Sequence, residues 1–484
     1  MATTETDRQA PKGSGGGAEP GFIDRWFSIT ARGSTVAQEF RGGLTTFMAM
    51  AYIVVLNPLI LTGATDVNGE QLSNVAVTTM TAFSACIATF AMGVIGRVPL
   101  ALAAALTVNA VVAYQIVPHV TWPQAMGLVV IEGLLIVVLA ASGARTAIMK
   151  AIPKDLKHAI GIGLGLFIAF IGLFNAGFVT SPEEGKPVDL GVEGVLQGWP
   201  IVVFAVGFLL TVALWAKKIP GAVLIGILVA TILAMIIHAV VKPPASDWGL
   251  VVPGVPENVV GWPDFSLFGR FDIIGAVTGI GVLTLFVFLF TLVLSGFFDA
   301  MGTIIAVGQE AGLTDKSTGQ MKGVGTALTV DGAAAAFGGV TSSSANTVFV
   351  ESAAGVGDGA RTGLSSVFTG IMFGLTMFLV PLAAVVPQQA AAPALVLVGG
   401  LMTMQAKHIN WNDMEIAIPA FLIIAITPFT YSVTAGVGAG VITYVVLKAV
   451  HGKWREPGWL MWIVAAVFVA YFGVDFIKQF TGDA

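Results

Sequence analysis

Gly338-Gly-Val-Thr-Ser-Ser-Ser-Ala-Asn-Thr-Val-Phe-Val-Glu-Ser-Ala-Ala-Gly355 sets a row of hydroxyls, an amide and a carboxylate into an otherwise lipid-like chain. Its first half is small and β-branched, which favours extended backbone, and its second half favours helix. It is too polar to cross a bilayer as one continuous apolar helix of about 20 residues. A broken span, part extended and part helical, is the reading it supports. A stretch of the same kind lies far upstream, Ala105-Leu-Thr-Val-Asn109-Ala-Val-Val112. The two predict equivalent half-helices in two halves of a duplicated fold.

The surroundings fit that frame. The chain has 484 residues, 56% hydrophobic and 11% charged, against roughly 25% charged in an average soluble domain. With a mean hydropathy of +0.88 it reads as an all-α polytopic membrane protein. Spans are predicted at 40–62, 74–96, 100–117, 123–148, 156–175, 198–216 and 220–241, then at 281–306, 322–338, 341–357, 363–386, 390–406, 413–431 and 433–450. About fourteen spans in two sets of seven follow. Because seven is odd, the second set must be inverted, and inverted repeats mark transporters whose site lies near the midplane, where broken helices meet.

The expected organisation is a disordered cytoplasmic segment 1–39, a first repeat 40–241, a proline-rich extracytoplasmic joint 242–280, a second repeat 281–450 and a carboxy-terminal segment 451–484. Within the last, Trp459 to Phe480 either lies at the interface or crosses once more. Of the Lys and Arg residues placed in loops, only Lys186, Lys242 and Arg270 fall opposite the amino terminus. The positive-inside rule then puts that terminus in the cytoplasm of a multi-pass protein of the inner or plasma membrane. The first 20 residues lack the apolar core of a signal peptide. One cysteine, Cys86, excludes an internal disulfide, and no metal-site spacing occurs. Without a Gly-x4-Gly-Lys-Ser/Thr loop, energy must come from an ion or solute gradient rather than ATP. Neither a cofactor nor a nucleic-acid partner is expected; the partners are the lipid bilayer and a solute.

Two acids carry the chemistry, Glu351 and Asp299 in Leu294-Ser-Gly-Phe-Phe-Asp-Ala-Met-Gly-Thr303. An intramembrane carboxylate is costly unless paired, hydrated or protonated, so each is a ligand and proton carrier, or else structural glue between helices. Thr303 stands one turn from Asp299 on the same helix face. Ser342, Ser343, Ser344, Asn346 and Thr347 reach towards Glu351, and the set suits a planar, polar, uncharged solute. Asn109 is expected at the site because its span is broken. Asn57, before Pro58, either lines the cavity or caps a helix break. The histidines fall in loops or at span ends and are given no role. Phe298-Asp299, Gly355-Val-Gly-Asp358 and Pro393-Ala-Leu395 reproduce the short signatures of GxGD intramembrane proteases. That pattern is weak, because such a protease needs two facing aspartates in one apolar layer.

Phe40-Arg-Gly-Gly-Leu-Thr-Thr-Phe-Met-Ala-Met-Ala-Tyr-Ile-Val-Val-Leu-Asn-Pro58, Phe298-Asp-Ala-Met-Gly-Thr303 and Val350-Glu-Ser-Ala-Ala-Gly-Val-Gly-Asp-Gly-Ala-Arg-Thr-Gly363 resemble the azaguanine-resistance (AzgA-like) purine permeases. These are a branch of the nucleobase–ascorbate transporters, or nucleobase:cation symporters type 2. The resemblance implies a core of spans 1–4 and 8–11, a gate of spans 5–7 and 12–14, and proton-coupled purine uptake by an elevator-like core movement, often in a homodimer. It also implies Asp299 and Glu351 as the acidic substrate ligands that share proton coupling, Thr303 and Phe349 as pocket neighbours, and Asn109 as the asparagine opening span three. Ala104-Ala-Leu-Thr-Val-Asn109 departs from the family's Pro-Gly-x-Gly-Leu-Asn, and Val111-Val112 replaces its aromatic pair. The base, hypoxanthine, guanine or adenine against uracil or xanthine, stays open there. An anion exchanger on the same architecture is the other class, disfavoured by the two acids.

Overall fold

The computed structural model describes residues 21–142, 153–182, 186–256, 258–313 and 323–481, with the side chains of 297–299, 302 and 474–481 left aside. Among the described residues, nine helices are long and apolar enough to cross a membrane, and Val282–Gly296, Val324–Val340, Met414–Phe429 and Trp459–Gly473 are shorter apolar helices. Span 1 is Val36–Met50 with Ile53–Thr62, span 2 is Asn74–Ala91, and span 3 joins the strand Leu102–Ala104 to the helix Leu106–Val111. Spans 4 to 7 are Trp122–Ser142, Lys154–Asn175, Trp199–Ala216 and Ala222–Val241. Span 8 is Val282–Glu310, span 9 is Val324–Val340, and span 10 joins the strand Asn346–Val348 to the helix Ser352–Gly357. Spans 11 to 14 are Gly363–Thr376, Gln388–Thr403, Met414–Phe429 and Val433–Val450.

The two extended segments exist because they satisfy each other. In lipid no backbone N–H or C=O can be left open, and the strands pair antiparallel with Leu102 opposite Val348, Ala103 opposite Thr347 and Ala104 opposite Asn346. The Ala105 N–H donates to Ala345 C=O at 2.8 Å and the Phe349 N–H to Ala101 C=O at 2.9 Å, one bond at each end of the ladder. The outer edges are closed by side chains of the preceding spans. The Leu102 N–H donates to Thr89 Oγ1 of span 2 (2.9 Å), and the Val348 N–H to Asp331 Oδ1 of span 9 (3.0 Å). Helix packing repeats the same relation. Span 4 packs on span 9 as span 11 packs on span 2, span 6 on span 12 as span 13 on span 5, and span 1 on span 11 as span 8 on span 4. The fold is thus two inverted seven-span repeats, divided into a core of spans 1–4 and 8–11 and a gate of spans 5–7 and 12–14.

Small residues let the core helices meet at backbone distance. A methyl group on Gly133 would stand 2.1 Å from the Ala336 nitrogen, so spans 4 and 9 touch main chain to main chain there. Two features differ from the sequence expectation. Span 1 is broken at Ala51–Tyr52, where hydrogen bonds tighten to i+3 spacing, from the Val54 N–H to Ala51 C=O and from the Val55 N–H to Tyr52 C=O. Residues 21–35, placed with the disordered tail, hold a short helix, Phe22–Phe27. Trp26 donates to Val94 C=O and lies under the Arg97 guanidinium, 4.3 Å from its ring centroid. The predicted end of span 4 beyond Ser142 lies outside the described residues. After span 14, the helix Trp459–Thr481 packs on spans 14 and 8.

Candidate functional site

Half-helix spans leave room where their strands end. A cavity of about 440 Å³ opens between the strand pair and the gate, lined on the core side by Ala105, Leu106, Thr107, Thr303, Thr347, Phe349 and Glu351, and on the gate side by Ile168, Val398, Leu401, Met402 and Gln405. A second cavity of about 450 Å³ shares Thr107, Thr303, Met402 and Gln405 and runs to the end of span 5 at Lys154, Lys157 and His158. At the opposite end the seam between core and gate is shut. The Tyr114 and Tyr431 rings meet at 5.4 Å, Tyr431 stacks edge-on against Phe167 at 4.9 Å, and the Thr434 N–H and hydroxyl donate to Gln115 Oε1 at 3.3 and 3.2 Å. The site therefore opens on one side only.

Glu351 is the residue just ahead of the span 10 helix and is half-buried on the cavity wall. The Tyr52 hydroxyl, delivered by the break in span 1, donates to Glu351 Oε1 at 2.5 Å. Phe349 and Thr303 also line the cavity. Asp299 lies in the span 8 helix one turn before Thr303, but its side chain lies outside the described residues.

The other candidates lie off the cavity, and the three asparagines among them bond to buried amides, hydroxyls and carbonyls of the core. Asn109 Nδ2 donates to Asn57 Oδ1 (2.6 Å), and Asn57 Nδ2 to Thr81 Oγ1 (2.7 Å) and Ser343 C=O (3.0 Å), a fully buried network tying spans 1, 2, 3 and 10. Asn346 Nδ2 donates to Ser84 Oγ (2.5 Å) and Ala334 C=O (2.9 Å). Ser344 is fully buried at φ +66° on the approach to the strand, away from the cavity lining. The three asparagines brace the strand pair. Val111 and Val112 are likewise buried off the cavity, so the family departure there does not form its wall. Asp358 accepts from the Thr45 hydroxyl at the end of span 10, a local tie and not half of an aspartyl dyad.

The sequence reading missed Thr107 and Gln405 on the cavity, Tyr52 bonded to Glu351 behind it, His158 at its mouth, where Nδ1 sits 3.2 Å from Gln405 Oε1, and two buried acids of the core, Glu132 and Asp331. The acids were findable by the test already applied to Glu351, a charge inside an apolar span. Tyr52 carried no signal, since nothing in an apolar helix marks which face meets a residue 299 positions away.

Known proteins bear out the architecture. Bicarbonate transporter BicA, a cyanobacterial protein, matches in its transmembrane domain with a TM-score of 0.58 at 15% identity over 82% of this chain and 97% of that one. The murine Slc26a9 anion transporter in the inward-facing state matches with 0.61 at 12% identity over 93% and 77%. At such identities these show the fold alone. Among sequence relatives, guanine/hypoxanthine permease PbuG of Bacillus subtilis is 35% identical over 92% of this chain and 98% of its own length. Adenine permease AdeQ of Escherichia coli is 34% identical over 93% and 96%. The family model described as "Permease family" matches residues 37–439. The chain is therefore a membrane transporter, not an enzyme, and it belongs to this permease family, the nucleobase–ascorbate transporters.

Proposed function

We propose that the protein carries neutral purine bases, such as hypoxanthine, guanine or adenine, across the membrane together with a proton, by an elevator-like movement of the core against the gate. The observation that supports it most is Glu351, a carboxylate on the wall of a cavity otherwise lined by hydroxyls, one amide and apolar groups. A purine offers ring N–H and amino donors to a carboxylate and flat apolar faces to side chains such as Phe349 and Met402. The permeases named for guanine, hypoxanthine and adenine, similar over nearly the whole chain, support the same choice. Tyr52 holds one oxygen of Glu351 and so orients the group before the base arrives. Thr303, Thr107 and Gln405 complete the polar contacts, with Asp299 as a second acid from span 8.

Coupling follows from charge. Moving an ionised carboxylate through lipid costs several kcal/mol, so a base-loaded core that moves only once an acid is protonated, and an empty core that returns without the proton, link the two fluxes. The amino terminus and the Lys154 mouth lie on the cytoplasmic face in this scheme, and a homodimer is the working assembly. An anion exchanger would need a cation at the heart of the site, where Glu351 stands instead. Uptake of radiolabelled hypoxanthine into proteoliposomes, with and without an inward proton gradient, is the test. Accumulation that follows the gradient is expected; no purine uptake would remove the substrate assignment, and uptake indifferent to the gradient would remove the symport.

A further inference from the structure

Among the described residues, one carboxyl group is buried with no partner at all. Glu132, in the middle of span 4, is fully inaccessible, and neither of its oxygens accepts a hydrogen bond. It sits where spans 4, 8 and 9 meet. A methyl on Gly296 of span 8 would lie 2.6 Å from Glu132 Oε1, and the neighbouring Gly133 is pressed against Gly332 and Ala336 of span 9. Ser295, next to Gly296, lines the cavity at the Lys154 end, and its hydroxyl also lacks a partner, as does that of Thr107 on the same cavity. On the other side Asp331 binds the Val348 N–H and the Thr347 hydroxyl, and Thr347 lines the Glu351 cavity. Glu132 lines neither cavity, but its surroundings reach both, through Ser295 beside Gly296 and through Thr347 bonded to Asp331.

The helices packed on span 4 carry only acidic or neutral side chains. Span 9 presents Asp331, span 8 carries Asp299 one turn beyond Gly296 and Glu310 at its far end, and the short helix Ile273–Thr278 that also packs on span 4 carries no charge, with Asp272 at its start capping Gly275. No Lys, Arg or His is among them. An ionised carboxylate there has neither donor nor counter-ion, a state that costs many kcal/mol, whereas the neutral acid costs far less. An acid retained as structural glue would show a bond to a neighbouring helix, and this one shows none.

We propose that Glu132 is the residue that carries the coupled proton, while Glu351 recognises the base. The inference rests on the symport reading above. The proton comes from water on the loading side, rides as the neutral carboxylic acid while the core moves, and returns to water in the cavity past the Ser295 hydroxyl, leaving the carboxylate until the core resets. No bond other than O–H is made or broken.

The test uses reconstituted native protein and Glu132→Gln, an isosteric and permanently neutral replacement. Glu132→Gln is expected to keep hypoxanthine binding and gradient-free exchange of labelled for unlabelled hypoxanthine. It is expected to lose pH-driven accumulation, and with it the internal acidification that hypoxanthine causes in the native protein. A Glu132→Gln protein that still accumulates hypoxanthine down a proton gradient overturns the proposal. Should that variant fail to bind hypoxanthine, Glu132→Asp decides. It keeps a carboxyl and is expected to accumulate hypoxanthine with a displaced pH profile, and a profile identical to the native one overturns the assignment. If the native protein itself ignores the gradient, the symport reading falls and this inference with it; if only the variant behaves like the native protein, this inference alone falls.

Discussion

Tyr52 and Glu351 show what a single hydrogen bond contributes at this site. The hydroxyl occupies Oε1 at 2.5 Å and fixes the carboxyl rotamer on the cavity wall. Tyr52→Phe keeps the buried ring and deletes the donor, so the fold is expected to hold. Loss of a hydrogen bond to a charged group, about 1.5–3 kcal/mol, weakens hypoxanthine affinity roughly ten- to hundredfold, which a binding isotherm on purified protein measures. At this scale the sequence was half legible. Glu351 and Thr303 stand out as polar positions in apolar surroundings, Phe349 follows from the family resemblance, and all three line the cavity. Asn109, Asn57 and Asn346 stand out by the same criterion yet bond within the core, and Ser344 is buried off the cavity. Polarity inside an apolar span signals that a group must be satisfied, but not whether a neighbouring helix or a solute satisfies it.

The strand pair is the element on which the site depends, and it is held at its edges by one side chain each from spans 2 and 9. Asp331→Ala leaves the Val348 N–H without its acceptor. The expected cost is about 1–3 kcal/mol, read as a lowered melting temperature in detergent, whereas Asp331→Asn retains an acceptor oxygen and is expected to lose much less. The helix contact beside it is equally tight. Gly133→Val places a side chain against the Ala336 nitrogen, and overpacking of this kind costs about 1–3 kcal/mol, again measured by thermal unfolding. The broken character of spans 3 and 10 could be read from their composition, because a β-branched polar run cannot continue an apolar helix. The break in span 1 could not, since Met-Ala-Tyr-Ile is sound helical sequence and only the packing bends it there.

Over the whole molecule, the inverted repeat was legible from the odd number of spans, and the contact pattern obeys it span for span. The state of the site was not, because nothing local in the sequence says which end of the seam is shut. With Tyr114 and Tyr431 closing one end, an elevator-like cycle must separate them. In a Cys86→Ser background, cysteines at 114 and 431 joined by a short cross-linker are expected to stop uptake, with reduction of the linker restoring it; undiminished uptake in the linked protein contradicts the movement. The last helix adds a topological consequence. Phe468 and Phe472 lie against Gly438 in the first turns of span 14, while Glu456, just ahead of the helix, pairs with Lys448 at that span's end. The helix therefore runs back along span 14. A carboxy-terminal tag is expected on the face opposite an amino-terminal one, and protease accessibility in sealed vesicles locates both.

The central claim is that Glu351 holds a purine base in the cavity between core and gate. The most direct test is hypoxanthine binding to purified native protein and to Glu351→Gln, both folded as judged by thermal unfolding. The native protein is expected to bind, and Glu351→Gln to bind at least about tenfold more weakly, the loss of one charge-assisted hydrogen bond; equal affinity in the two proteins would contradict the account.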